Sequence, residues 1–184
     1  MPAKFASSYI PTGGAQVSRT VDALSWVFNS RPQAMTVYLK FIELGTATTA
    51  NTRVLQIGAN TLATSRLVVL APAGKYQVQL FNASGTSVTS TATVAPAVGN
   101  VVELRITVTA SGVIQLHQTI NGGTEVSATA SGGLTLPQVW QDATLWLGRA
   151  SNGGTGFAAF LAVHIERGIH DLATMRQLAG VNKK

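Results

Sequence analysis

The chain has no cysteine among its 184 residues, which excludes disulfide staples and thiolate metal sites. Charge is scarce as well. Lys, Arg, Asp and Glu make up 11% of the residues, against roughly a quarter in an average soluble domain. Ser, Thr, Asn, Gln and Gly must therefore coat the surface. Such a coat suits the outer faces of a β-protein and leaves little charge to guard against association. Acidic residues are the scarcest, 7 against 13 basic ones, for a net charge of +6. The basic residues are scattered from Lys4 to Arg176, and only Lys183 and Lys184 adjoin. That spread argues against a basic helix or an aromatic-basic strip for nucleic acid. No apolar run approaches the ~20 residues of a membrane helix. The opening MPAKFASSYIPTGG lacks the apolar centre of a signal peptide. The expectation is a protein of no membrane, assembled in the cytoplasm.

Against those absences stands a chain that is 46% hydrophobic and long enough for one domain with a proper core. Its apolar residues alternate, the period of a half-buried strand. Met35, Val37, Leu39 and Phe41 share one face, and Thr36, Tyr38 and Lys40 the other. Val102, Leu104, Ile106 and Val108 lie opposite Glu103, Arg105 and Thr107. The turn Ala110-Ser111-Gly112 then leads into Ile114, Leu116 and Ile120, opposite Gln115, His117 and Thr119, a hairpin signal. Shorter strands are expected over 25–28, 53–58, 66–70, 76–81, 86–94, 125–130 and 144–148. A last long strand sends Phe157, Ala159, Leu161, Val163 and Ile165 one way and Ala158, Phe160, Ala162, His164 and Glu166 the other. A short helix follows: Asp171 is its N-cap, Leu172, Met175, Leu178 and Ala179 its apolar stripe, and Gly180 its left-handed end. Many short strands with turns at close intervals predict an all-β, two-sheet antiparallel sandwich with one short C-terminal helix. Residues 1–24 read as an N-terminal arm with a first short strand, and residues 25–184 as a single sandwich domain.

The residues carry little catalytic signal. The acids are Asp22, Glu43, Glu103, Glu125, Asp142, Glu166 and Asp171, and no two share a strand at alternate positions as paired glycosidase carboxylates would. Glu103 and Arg105 read as a same-face ion pair on an exposed strand. His117, His164 and His170 do not cluster as metal ligands do; a meeting of His117 and His164 across strands is the alternative reading. The loop Ser151–Gly156 is glycine-rich, but a strand follows it rather than the helix a phosphate site needs. It reads as a strand connection that also offers Asn152, Gly153 and Gly154 to a ligand or neighbour. Trp26, Trp140 and Trp146 are core packing or a sugar-stacking surface. Trp146 stands opposite in phase to Leu145 and Leu147. No catalytic residue, cofactor or metal is expected.

The C-terminal order of Leu147-Gly148, the loop Ser151–Gly156, the strand Phe157–Ile165 and the helix Asp171–Leu178 resembles the end of concanavalin A-like (laminin-G-like) jelly-roll domains. The segments Ser8-Tyr9-Ile10-Pro11-Thr12, Val17-Ser18-Arg19 with Asp22, and Pro32–Gly58 resemble those of bacteriophage virion proteins of that fold. The acidic-Asn metal loop of calcium-dependent lectins and the paired-carboxylate strand of glucanases are both missing. The resemblance implies a jelly roll and a non-enzymatic virion structural protein. A charge-poor surface and an arm able to lie over a neighbour make capsid decoration the leading expectation. Its partners would be the major capsid protein and further copies of itself, with Phe5, Tyr9, Ile10 and Pro11 as capsid-contacting residues. The alternative is a carbohydrate-binding adhesion or tail-tip module using the tryptophans and the glycine loop.

Overall fold

The computed structural model describes residues 24–28, 34–45, 53–58, 66–130, 143–148 and 158–181. Among the described residues eleven strands are seen: β1 (Leu24–Phe28), β2 (Met35–Glu43), β3 (Arg53–Gly58), β4 (Arg66–Leu70), β5 (Gln77–Phe81), β6 (Ser87–Thr91), β7 (Val101–Val108), β8 (Ile114–Ile120), β9 (Val126–Ala130), β10 (Ala143–Leu147) and β11 (Ala158–Arg167). One α-helix, α1 (Leu172–Leu178), follows them. Every strand pair is antiparallel. The strands form a six-stranded sheet in the order β1-β10-β3-β4-β5-β6 and a five-stranded sheet in the order β11-β2-β7-β8-β9. Of the arm expected over residues 1–24, residues 1–23, with Phe5, Tyr9, Ile10 and Pro11, lie outside the described residues, and Leu24 opens β1. Among the described residues no helix is long and apolar enough to cross a membrane.

The alternating residues meet between the sheets, because each strand can bury only one face of its pleat against the other sheet. Met35, Val37, Leu39 and Phe41 of β2, and Val102, Leu104, Ile106 and Val108 of β7, pack against Leu55, Ile57, Leu67, Val69, Val78 and Leu80 of the six-stranded sheet. Tyr76 joins them, edge-on to Phe41 at 5.3 Å between ring centroids. At one side the sheets are tied by Ser90 Oγ of β6, which donates to the Ala128 carbonyl of β9 at 2.9 Å. The β7–β8 hairpin turns as expected, with Gly112 at φ 78° and Thr109 N–H donating to the Val113 carbonyl at 3.0 Å.

Two features depart from simple alternation. First, β11 carries a bulge: Phe160 pairs with Phe41, but the next pairing is Ala162 with Lys40. The extra residue, Leu161, is 51% exposed. Ala158 and Phe160 therefore face the core together with Val163 and Ile165, which reverses the expected facing of the strand's first half. Second, the outer face of the five-stranded sheet is not solvent-facing. Thr36 and Tyr38 are fully buried there, and Glu103 and Arg105 nearly so. The C-terminal helix covers them. Asp171 caps it, accepting from Thr174 N–H at 2.7 Å, and Gly180 ends it at φ 71°. Met175 is its fully buried residue, while Leu178, expected in the apolar stripe, is exposed. Thr36 Oγ1 ties the incoming chain to the sheet, donating to the Gly168 carbonyl at 2.8 Å and accepting from His170 N–H at 3.0 Å.

Candidate functional site

The face of the six-stranded sheet turned away from the core holds a mixed row. Trp146 pairs with Gln56, Gln56 with Val68, Val68 with Gln79 and Gln79 with Thr89. None of these belongs to the core cluster. Gln56 and Val68 are nevertheless fully buried, and Gln79 and Trp146 are half-buried. Gln79 Nε2 donates to Gln77 Oε1 at 2.9 Å, and Gln77 Nε2 to Thr91 Oγ1 at 3.0 Å, so the amides are aligned along the sheet. Arg53, paired with Leu70, and Arg66, paired with Gly58 and Phe81, stand at the two ends of this face. The Arg66 guanidinium lies over the Phe81 ring, 4.5 Å from its centroid, a cation–π contact.

These two arginines are poorly served. Arg53 is 8% exposed. Its Nε and Nη1 are buried without a hydrogen-bond partner, as is Nε of Arg66. A buried donor left unpaired costs about 1–3 kcal/mol, and more when charged. Burial pulls the Arg53 pKa below its usual value, and the neighbouring Arg66 charge adds to the effect. Burial alone pulls Arg66 down.

The outer face of the five-stranded sheet contrasts with it. Glu103 receives the Tyr38 hydroxyl at 3.0 Å, Lys40 Nζ at 3.2 Å and Arg176 Nε at 3.0 Å, with Arg176 Nη2 on the same oxygen. Burial pushes the Glu103 carboxyl up, but the hydrogen bonds from Arg176, Lys40 and Tyr38 prevail and hold it below the usual carboxylate range. Burial, and then the Glu103 charge, pushes the Tyr38 hydroxyl up. Arg105 donates from Nε and Nη2 to Glu125 at 3.1 and 2.9 Å, and from Nη1 to the His170 carbonyl at 3.1 Å. Glu103 and Arg105 share a face, but each is paired elsewhere and not with the other. An open cleft of ≈ 450 Å³ lies beside Lys40, Glu103, Asn121 and Arg176. Its charges are already matched within the protein, which makes it a docked helix seam rather than a vacant site. The second buried acid among the described residues, Glu43, accepts from the Tyr76 hydroxyl and from Gly45 N–H at 3.0 Å.

Of the residues the sequence singles out, Trp146 is on the arginine-bearing face. Trp26 is in β1 at the register position of Leu145. Trp140, Asn152, Gly153 and Gly154 lie outside the described residues. His117 and His164 do not meet: they occupy one cross-strand row with Tyr38 and Arg105 between them, three strand spacings or roughly 14 Å apart. Among the described residues no group of three His, Cys, Asp or Glu side chains could hold a metal. Arg53 and Arg66 escape a sequence reading, although each opens a short, largely apolar strand, RVLQIG and RLVVL. A charge at such a position is the available signal.

No protein-family model matches the chain, and no curated protein does. Solved structures do match it. Tailspike protein 2 of an Escherichia coli O157:H7 bacteriophage superposes over 83% of this chain with a TM-score of 0.59 at 14% identity. The match covers 22% of that tailspike. The CBM40 of the Ruminococcus gnavus IT-sialidase, bound to α2,3-sialyllactose, superposes with a TM-score of 0.58 at 14% identity. There the match covers 80% of this chain and 83% of the CBM40. At these identities the likeness is one of fold: a two-sheet β-sandwich of the jelly-roll kind.

Proposed function

We propose that this chain is a non-enzymatic glycan-binding module of a bacteriophage particle, working at the tail or another adhesion point, with the outer face of the six-stranded sheet as its ligand face. The observation that carries the reading is the composition of that face: amides, two aromatic side chains and cationic groups on one sheet face, partly buried, with hydrogen-bonding capacity on Arg53 and Arg66 unused. Carbohydrate recognition uses such a mixture, aromatic faces for the sugar's C–H surface and fixed polar groups for its hydroxyls. The jelly-roll likeness to a named carbohydrate-binding module and to part of a phage tailspike supports the same reading. Capsid decoration rests on an arm outside the described residues, and no likeness bears on it, so it takes second place.

The test is a glycan panel probed with the purified chain, followed by titration calorimetry. Binding should appear, and Gln79→Ala and Phe81→Ala should each weaken it about tenfold, which is roughly 1.4 kcal/mol. Silence across the panel, together with hundreds of copies on the icosahedral lattice of purified particles, would restore capsid decoration.

A further inference from the structure

Resting on that glycan-binding reading, we infer that the saccharide carries an oxyanion, a carboxylate or a sulfate, and that Arg53 and Arg66 together receive it. The other well-buried or helix-covered cations of the described chain show what such groups require. Arg105 has Glu125 and a carbonyl, and Arg176 and Lys40 have Glu103. Arg53 is as deeply buried as Arg105, yet neither it nor Arg66 forms an ion pair with any described carboxylate. Their buried N–H groups aim at no acceptor.

The geometry suits one shared ligand. Arg53 and Arg66 lie on the same face of the β3–β4 pair. Leu70, the register partner of Arg53, is four residues from Arg66, roughly 13 Å along the strand. Gln56 and Val68 lie between them. Two long side chains can close that gap from both ends, and the Arg66 charge is near enough to depress the Arg53 pKa. Phe81 supports the Arg66 guanidinium from one side. A fork of N–H donors matches the paired oxygens of a carboxylate or sulfate, which a neutral sugar does not supply. The anion would also relieve the repulsion between the two cations, in a setting where burial makes charge interactions strong.

Calorimetry of the whole chain with lactose, 3′-sialyllactose, a hyaluronan tetrasaccharide and 3′-sulfolactose tests this. At least one acidic saccharide should bind tenfold or more tightly than lactose, and this margin should shrink as salt is raised. The sialyl and hyaluronan arms against the sulfo arm tell carboxylate from sulfate. In Arg53→Gln/Arg66→Gln the margin should vanish, the acidic saccharides then binding no more tightly than lactose does to the same variant. Should the double variant not fold, judged by circular dichroism, Arg66→Gln alone should reduce the margin at least threefold. Equal binding of lactose and the acidic saccharides overturns the inference and leaves the glycan reading standing. No binding of any of the four or of the wider panel overturns both. An acidic preference untouched by Arg66→Gln places the anion elsewhere and overturns the assignment.

Discussion

At the scale of single residues, two arginines on opposite outer faces have the same burial and opposite circumstances. Both Arg53 and Arg105 are 8% exposed. Arg105 is held by Glu125 on two nitrogens and by the His170 carbonyl on a third, whereas Arg53 has buried nitrogens without partners. The same substitution should therefore change stability in opposite directions. Arg53→Met keeps an apolar stem of similar length and removes an uncompensated charge, so urea unfolding should show a gain of about 1–2 kcal/mol. Arg105→Met strips Glu125 of its main partner and leaves the partly buried His170 carbonyl unpaired, so it should lose about 1–3 kcal/mol. A stability loss in Arg53→Met comparable to that of Arg105→Met would show that Arg53 is a satisfied structural group. This contrast also explains why the site was hard to read from sequence. Both residues are arginines in mostly apolar strands, and only strand order shows that one faces an acid and the other faces a second arginine.

At the scale of elements, alternation identifies the inward residues of β2 and β7 because each strand has a distinct apolar phase and a distinct polar one; β8 keeps Ile114 and Leu116 inward but places Gln118 in the same phase, 1% exposed. Alternation misleads on β11 because Ala158-Ala159-Phe160-Leu161-Ala162 is apolar in both phases, and a one-residue bulge leaves no mark in such a run. The two registers predict different mutants. With the bulge, Phe160 packs on Phe41 at 5.8 Å between centroids, and Phe160→Ala should cost about 2–3 kcal/mol. Leu161→Ala should stay within about 0.5 kcal/mol, as an exposed substitution does. Unbroken alternation predicts the reverse order, so denaturant midpoints of the two variants decide between them. The helix shows the complementary limit. Its caps are visible in Asp171 and Gly180 because they are local, but its docking place is not, because that depends on Glu103 and Tyr38 far along the chain. Met175, fully buried under the helix, measures the docking: Met175→Ala should lower stability by about 2–4 kcal/mol in the same assay.

At the scale of the whole molecule, the helix-covered face couples folding to pH through two groups that titrate in different windows. His117 is pulled down chiefly by burial, then by the Arg105 charge, against a smaller opposing pull from Glu125. A depressed folded pKa means that the unfolded chain takes up the proton first, so the His117 contribution is present above the ordinary value of about 6.5 and is lost as pH falls below it. Glu103 is also depressed, because its hydrogen bonds outweigh its burial. Its contribution is present above the ordinary carboxylate value of about 4.3 and is lost as pH falls through its lower folded value. Both losses run in the same direction and no gain on acidification opposes them at these two positions. Urea midpoints should therefore hold near neutrality and above, decline first as pH falls below about 6.5, and fall again below about pH 4.3. His117→Gln should abolish the first decline and leave the second. Glu103→Gln should flatten the second, at the cost of a lower midpoint at neutral pH, because Arg176 and Lys40 lose their shared acceptor. If the first decline survives in His117→Gln, another group carries it, and the helix-covered face does not govern acid stability in that window.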